Sequence, residues 1–331
     1  MNTKRWLQGA PALHRAMPVL SYPGARLIGR NVDSLVRSGA LQTDCMQAVA
    51  ERWDTLASVS LMDLSAEAQA FGSPVRFSPD EVPTVTAAII GEGDDPEALV
   101  VPEVGAARTG EYIAAIAGAK QRIQKPIFAG TIGPFSLAGR LLSFSEIMVL
   151  CYEEPELVHG VLAKAAAFLI KYNKALRDAG ADGLLMAEPA AGLLSPAMNA
   201  EFSVPYVRQI IQAVQTEECA VIYHNCGNTI PLVEGILGTG ASALHFGNAI
   251  DLSEMLKLVP AHIPVFGNVD PAGVLRNGTP ETVRAETLRV LEKCAKHENF
   301  ILSSGCDIPP QAPLENIDAF FNAAEEFYGR I

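Results

Sequence analysis

Positive charge is in short supply in this chain: 25 lysines and arginines stand against 37 aspartates and glutamates, a net charge of −12. So acidic a protein presents no field for nucleic acid or anionic lipid, and no basic stripe overrides the balance. Long apolar runs are missing as well. None approaches the roughly 18 residues that a membrane span needs, so a membrane partner is not expected. The N-terminus is broken by Lys4, Arg5, His14 and Arg15 before any apolar stretch develops and does not read as a signal peptide. There is no internal repeat and no low-complexity tract. The six cysteines, at 45, 151, 219, 226, 294 and 306, are too dispersed for a disulfide framework. In a cytoplasmic protein, the location expected here, such thiols are buried or bind metal. Cys45, Cys151, Cys219 and Cys294 lie in apolar or helical surroundings and read as buried thiols.

What is present is a rhythm. Of the 331 residues, 49% are hydrophobic, ample for a large core. Short runs apolar on both faces recur at residues 18–22, 58–64, 126–131, 183–188, 220–225, 243–248, 265–270 and 300–305, as buried parallel strands require. Amphipathic stretches such as 154–179, 199–215 and 280–297 lie between them, the last with Thr279 as N-cap before Pro280. Strand alternating with helix about eight times predicts an α/β fold, a (β/α)8 TIM barrel formed as a single domain over residues 1–331. The rival open sheet lacks its signal, since no GxGxxG follows the first strand. Residues 71–104 break the rhythm with VRFSP, TVTAAII and ALVVPEV. They read as an elaborated excursion between the second strand and its helix, at the barrel mouth and with room for a hairpin.

In such a barrel the strand C-termini build the active site. The predicted ends carry Asp63, Glu188, His224, Cys226, His245, Asn248, Asn268, Asp270 and Cys306. The most specific pattern is HNCGN at 224–228 with SSGCD at 303–307. Residues two apart on an extended segment share a face, so His224 and Cys226 point together, and barrel closure can bring Cys306 to them. One imidazole and two thiolates suit Zn²⁺ and leave its fourth position open, as catalytic rather than structural zinc requires. A hydrogen-bonded histidine beside a small buried cysteine is the plainer reading of HxC alone.

The chain also resembles the uroporphyrinogen decarboxylase superfamily, and within it the cobamide-dependent methyltransferases such as methylcobamide:coenzyme M methyltransferase. The similar segments are DLSAEAQAFGSPVRFSPDEVP (63–83), GPFSLAG (133–139), GADGLLMAEPAAGLLSP (180–196), HNCGNT (224–229), GNVDP (267–271) and GCDIPPQAPLENI (305–317). Decarboxylases grip a polycarboxylate with an arginine-bearing segment after the first strand; here only Arg26 and the more distal Arg30 remain. They carry a Gly-His-Gly-like segment at the last strand, where this chain has Gly305-Cys306-Asp307. The resemblance therefore implies a zinc enzyme with His224, Cys226 and Cys306 as ligands and catalytic centre.

It further implies methyl transfer from a methylated corrinoid to a small thiol such as coenzyme M, with a decarboxylase as the alternative reaction. The corrinoid is expected on a partner protein, because no DxHxxG segment occurs in this chain. Substrate-side residues are expected at Asp63, Glu188, Asn248, Asn268 and Arg26. Asp63 matches the family's mouth aspartate, or else caps the following helix. Zinc thiol methyltransferases often have an acidic residue at the end of the sixth strand, where Gly247 and Asn248 stand here. The fourth ligand is thus open between water, Glu188 and His245. A non-catalytic module with a structural zinc is the remaining class.

Overall fold

Segments apolar on both faces cannot stay at a solvated surface, and here they pair side by side into one parallel sheet. In the computed structural model, which describes residues 1–330, the strands in chain order are β1 (Ser58–Val59), β2 (Val75–Arg76), β3 (Thr84–Val85), β4 (Ile127–Ile132), β5 (Gly183–Ala187), β6 (Ala220–Asn225), β7 (Ala243–Phe246), β8 (Val265–Val269) and β9 (Phe300–Ser304). β1 and β4 to β9 form a seven-stranded parallel sheet in that order. β2 and β3 make the hairpin within residues 71–104, with Val75 opposite Val85.

The sheet curls, and alternate residues fall into two cores. Val59, Phe128, Leu185, Ala187, Ala220, Ile222, Ala243, Phe266 and Ile301 share an inner cluster, completed by Met17 and Val19. Leu184, Met186, Val221, Tyr223, Leu244 and Phe246 face outward against the helices. The longest helix, Pro155–Asp178, buries Val158, Val161, Leu162, Ala165, Leu169, Tyr172 and Leu176, a stripe of helical period turned to the sheet. Helix Pro280–Cys294 starts as expected, with Thr279 in a capping box with Thr282.

Three expected elements differ. Residues 18–22 form no ladder. Leu56 N–H donates to Ala16 O (2.8 Å) and Met17 N–H to Leu302 O (2.9 Å), so this segment touches both edges of the sheet. Pro18 then has no N–H to give, and Val19 N–H goes to the Ser304 side chain (3.0 Å). β1 stops early for a related reason: Gly130 N–H donates to Ser60 Oγ (2.9 Å) where a strand would offer a carbonyl. The helix expected over 199–215 is two, Pro196–Phe202 and Val204–Val214. They part at Ser203, just before Pro205, whose ring cannot continue a helix. Among the described residues no single helix is long and apolar enough to cross a membrane.

Candidate metal centre

His224 ends the inward-facing row of β6, above Ala220 and Ile222, and is buried. Cys226 follows two residues later, just past the strand. Cys306 stands two residues beyond the end of β9. One ligand atom from each lies within 4.8 Å of the other two, the only His, Cys and carboxylate cluster of that span among the described residues. Cys306 Sγ is 3.4 Å from His224 Nε2. Cys226 and Cys306 are partly exposed residues, while His224 is buried. Donors around a tetrahedral zinc stand about 3.5–3.8 Å apart at ordinary Zn–N and Zn–S lengths. The three side chains fit that ion in type and in span.

The thiols are strongly coupled. The hydrogen bond from Cys306, aided by His224 and opposed by burial, holds Cys226 down to about 4. The same bond, together with burial, pushes Cys306 well above the ordinary thiol range. The two sulfurs are thereby pushed in opposite directions, the charged form favoured on Cys226 and disfavoured on Cys306.

Glycines set how closely this centre is walled. A Cβ at Gly247 would lie 2.5 Å from Cys226 Cα, so no side chain fits there. Gly192 and Gly227 pack backbone to backbone, a Cβ on either meeting the other's Cα at 2.9 Å. The loop carrying Cys226 is thereby braced on the turn after β5.

The remaining expected residues divide. Glu188 is fully buried, and its two oxygens accept from Phe135 N–H (3.0 Å) and Ser136 N–H (2.6 Å), capping helix Pro134–Leu142. Burial, only partly offset by these bonds, raises it to about 7. Both oxygens of this carboxylate are thus engaged by main-chain donors of another element. Asp63 is likewise occupied. It pairs with Arg108 and accepts from Tyr112 Oη (2.6 Å), Ser65 Oγ (2.6 Å) and Ser65 N–H (3.0 Å). It neither opens to the mouth nor stands at the N-cap, which is Ser65. Asn268 donates to Gly247 O and Ile250 O, both at 3.0 Å, and so ties the loop after β7. Asn248 lines a 300 Å³ polar cavity with Asp251, Arg289 and Lys293. Arg26 lines one of 270 Å³ with Arg30 and Asn31.

His245 lies beside His224 with both ring nitrogens engaged: Nδ1 is 2.7 Å from His224 Nδ1 and Nε2 is 2.9 Å from Ser303 Oγ. It is therefore not a fourth ligand. Burial, reinforced by His224, pushes its pKa well down and keeps it neutral. Ser303, Arg108 and Glu67 were not singled out in the sequence, although Ser303 sits in the SSGCD motif itself. Glu67 is buried, with one carboxylate oxygen unpartnered.

A curled parallel sheet with its reactive side chains at the strand C-termini is the class of α/β protein that fold and site define. The profile of the family described as uroporphyrinogen decarboxylase (URO-D) matches residues 10–327, and the chain belongs to this family. Among curated relatives, methylcobamide:CoM methyltransferase MtbA of Methanosarcina acetivorans is 28% identical over 270 residues, 80% of this chain and 78% of that one. Uroporphyrinogen decarboxylase of Neisseria meningitidis serogroup C is 26% identical over 328 residues, 93% of this chain and 90% of that one. Among solved structures, a methyltransferase from Methanosarcina mazei matches with a TM-score of 0.87 at 23% identity, covering 99% of both chains. At that identity the structural likeness speaks for the fold.

Proposed function

We propose that this chain is a zinc-dependent methyltransferase that moves a methyl group from a methylated corrinoid to a small thiol such as coenzyme M. The observation that carries the reading is the convergence of one imidazole nitrogen and two sulfurs within 4.8 Å at the strand ends. His224, Cys226 and Cys306 would hold the ion. Zinc, when bound, displaces the acceptor thiol's proton and keeps its sulfur nucleophilic at neutral pH. Two thiolate ligands donate more charge than a three-histidine set, which favours sulfur transfer over water activation.

No further protein group would be needed to hold the ion. Gly247 has no room for a side chain, and Glu188 and His245 are committed elsewhere. The acceptor sulfur would then be the nucleophile. It attacks the methyl carbon as the cobalt–carbon bond breaks. The new bond is S–CH3, and the old electron pair stays on cobalt as Co(I). Asn248 and Arg26 are the expected residues whose polar groups line open cavities, and they are assigned to the substrate side. The corrinoid is assigned to a separate protein docking over the strand ends, in the cytoplasm.

The family match also supports reading the whole chain as a single (β/α)8 domain, with residues 16–22 in the place of the eighth strand and residues 71–104 as a loop excursion. The relatives named as CoM methyltransferases support the acceptor class. Metal content and methylcobalamin demethylation test the proposal together. Bound zinc and a coenzyme M-dependent loss of the methyl–cobalt absorbance are expected. Metal-free protein that decarboxylates uroporphyrinogen would replace this reading with the decarboxylase one.

A further inference from the structure

The two imidazoles inside the sheet are joined by more than proximity. His224 and His245 are register neighbours on β6 and β7, and their Nδ1 atoms lie 2.7 Å apart. Beyond them, His245 Nε2 is 2.9 Å from Ser303 Oγ, and Ser303 Oγ is 2.7 Å from the carbonyl oxygen of Met17. All three side chains are buried. Each contact requires one proton, and each ring nitrogen of a neutral imidazole offers either a proton or a lone pair.

A carbonyl oxygen can only accept. The Ser303 hydroxyl therefore spends its single proton on Met17, and its oxygen accepts from His245 Nε2–H. Neutral His245 is then bare at Nδ1 and accepts from His224 Nδ1–H. That leaves the His224 lone pair on Nε2, the atom 3.4 Å from Cys306 Sγ. With both rings neutral, any other order sets two lone pairs, or two protons, against each other at hydrogen-bonding distance where water cannot intervene.

We propose that His245 and Ser303 are positioning residues: in series from the Met17 carbonyl, they hold His224 in the tautomer whose Nε2 lone pair faces the two cysteine sulfurs. Metal-binding histidines commonly depend on such outer partners for orientation. Here the row has two side chains and ends on main chain, so it is anchored to the fold rather than to a titratable group. Neither residue touches the reacting atoms. The use of the lone pair rests on the zinc reading above, whereas the order of the protons belongs to the chain alone.

The experiment uses full-length protein carrying histidine labelled with the NMR-active nitrogen isotope. Metal-free spectra report which ring nitrogen is protonated, with His224→Ala and His245→Gln assigning the signals. His224 is expected to carry its proton on Nδ1 and His245 on Nε2. Ser303→Ala should mix these states and weaken zinc binding by about 10–100-fold in chelator competition, whereas Ser303→Thr, which keeps the hydroxyl, should restore both. A wild-type proton on His224 Nε2 would overturn the proposal, as would unchanged zinc affinity in Ser303→Ala. If Ser303→Ala does not fold, the wild-type spectrum still decides. Failure of the zinc reading looks different: the expected tautomers in wild-type protein that takes up no zinc would remove the positioning role while leaving the proton order intact.

Discussion

Two polar clusters sit at the strand ends of this fold, and they use their lone pairs in opposite ways. Around Asp63 every acceptor is consumed internally: Arg108, Tyr112 and Ser65 surround the carboxylate, and the Arg108–Asp63 side chains are 8% and 0% exposed. Around His224 the hydrogen bonds run the other way. The network behind the ring ends at Met17 and leaves Nε2 facing the Cys306 sulfur at 3.4 Å. Both clusters carry residues capable of catalysis, and both follow the C-terminal ends of strands in the parallel sheet. Position at a strand end is therefore not what separates a site from a strut. The distinction is whether the neighbours exhaust the donors and acceptors.

The largest effect expected is on metal. His224→Ala should weaken zinc binding by more than about 100-fold, beyond the loss of an outer partner, and cost about 1–3 kcal/mol of stability because His245 Nδ1 loses its buried partner; unchanged zinc uptake would erase the contrast. Arg108→Ala should do the reverse, leaving zinc affinity intact while costing about 3–5 kcal/mol of stability by stranding a buried charge. Replacing the pair together, Arg108→Met with Asp63→Leu, should recover most of that loss in the same unfolding titration. Glu188→Ala should cost about 1–3 kcal/mol, from two buried N–H groups left unpaired, again with zinc retained.

The smallest effect expected is on pH dependence. Burial, opposed by the Ile132 N–H, raises Glu67 to about 7, against about 4.3 in an unfolded chain. The folded state thus holds this proton more tightly. Its contribution is complete below about pH 4 and is lost as pH rises through 7. Thermal melts should fall modestly between pH 5 and 8, and Glu67→Gln should flatten the slope. Glu188 shifts in the same direction.

Periodicity made most of the fold legible. β6 matches the expected strand residue for residue, and β5, β7, β8 and β9 differ from it only by ending one or two residues sooner. The differences arise where a side-chain oxygen replaces a carbonyl, as Ser60 and Ser304 do, since no apolar pattern encodes that exchange. In the site, the HxC spacing and the distant cysteine were readable because strand geometry fixes which residues share a face. The commitment of Asp63 was not, because Arg108 lies 45 residues away along the chain and nothing local marks the pairing. Glu188 drew notice as a polar residue before Pro189, yet its partners are main-chain N–H groups of another element. The Met17 carbonyl was beyond reach for the same reason: every residue but its side chain looks alike to a sequence.

Met17 and Ser303 are 286 residues apart, and that separation bears on how the protein matures. A newly made chain can form β6 and expose its histidine and first cysteine long before the row that orders the ring is in place. On the zinc reading, tight metal capture would await the meeting of the earliest and latest segments, a slow, non-local event. Zinc uptake followed in real time during refolding would serve as a clock for the last step of assembly.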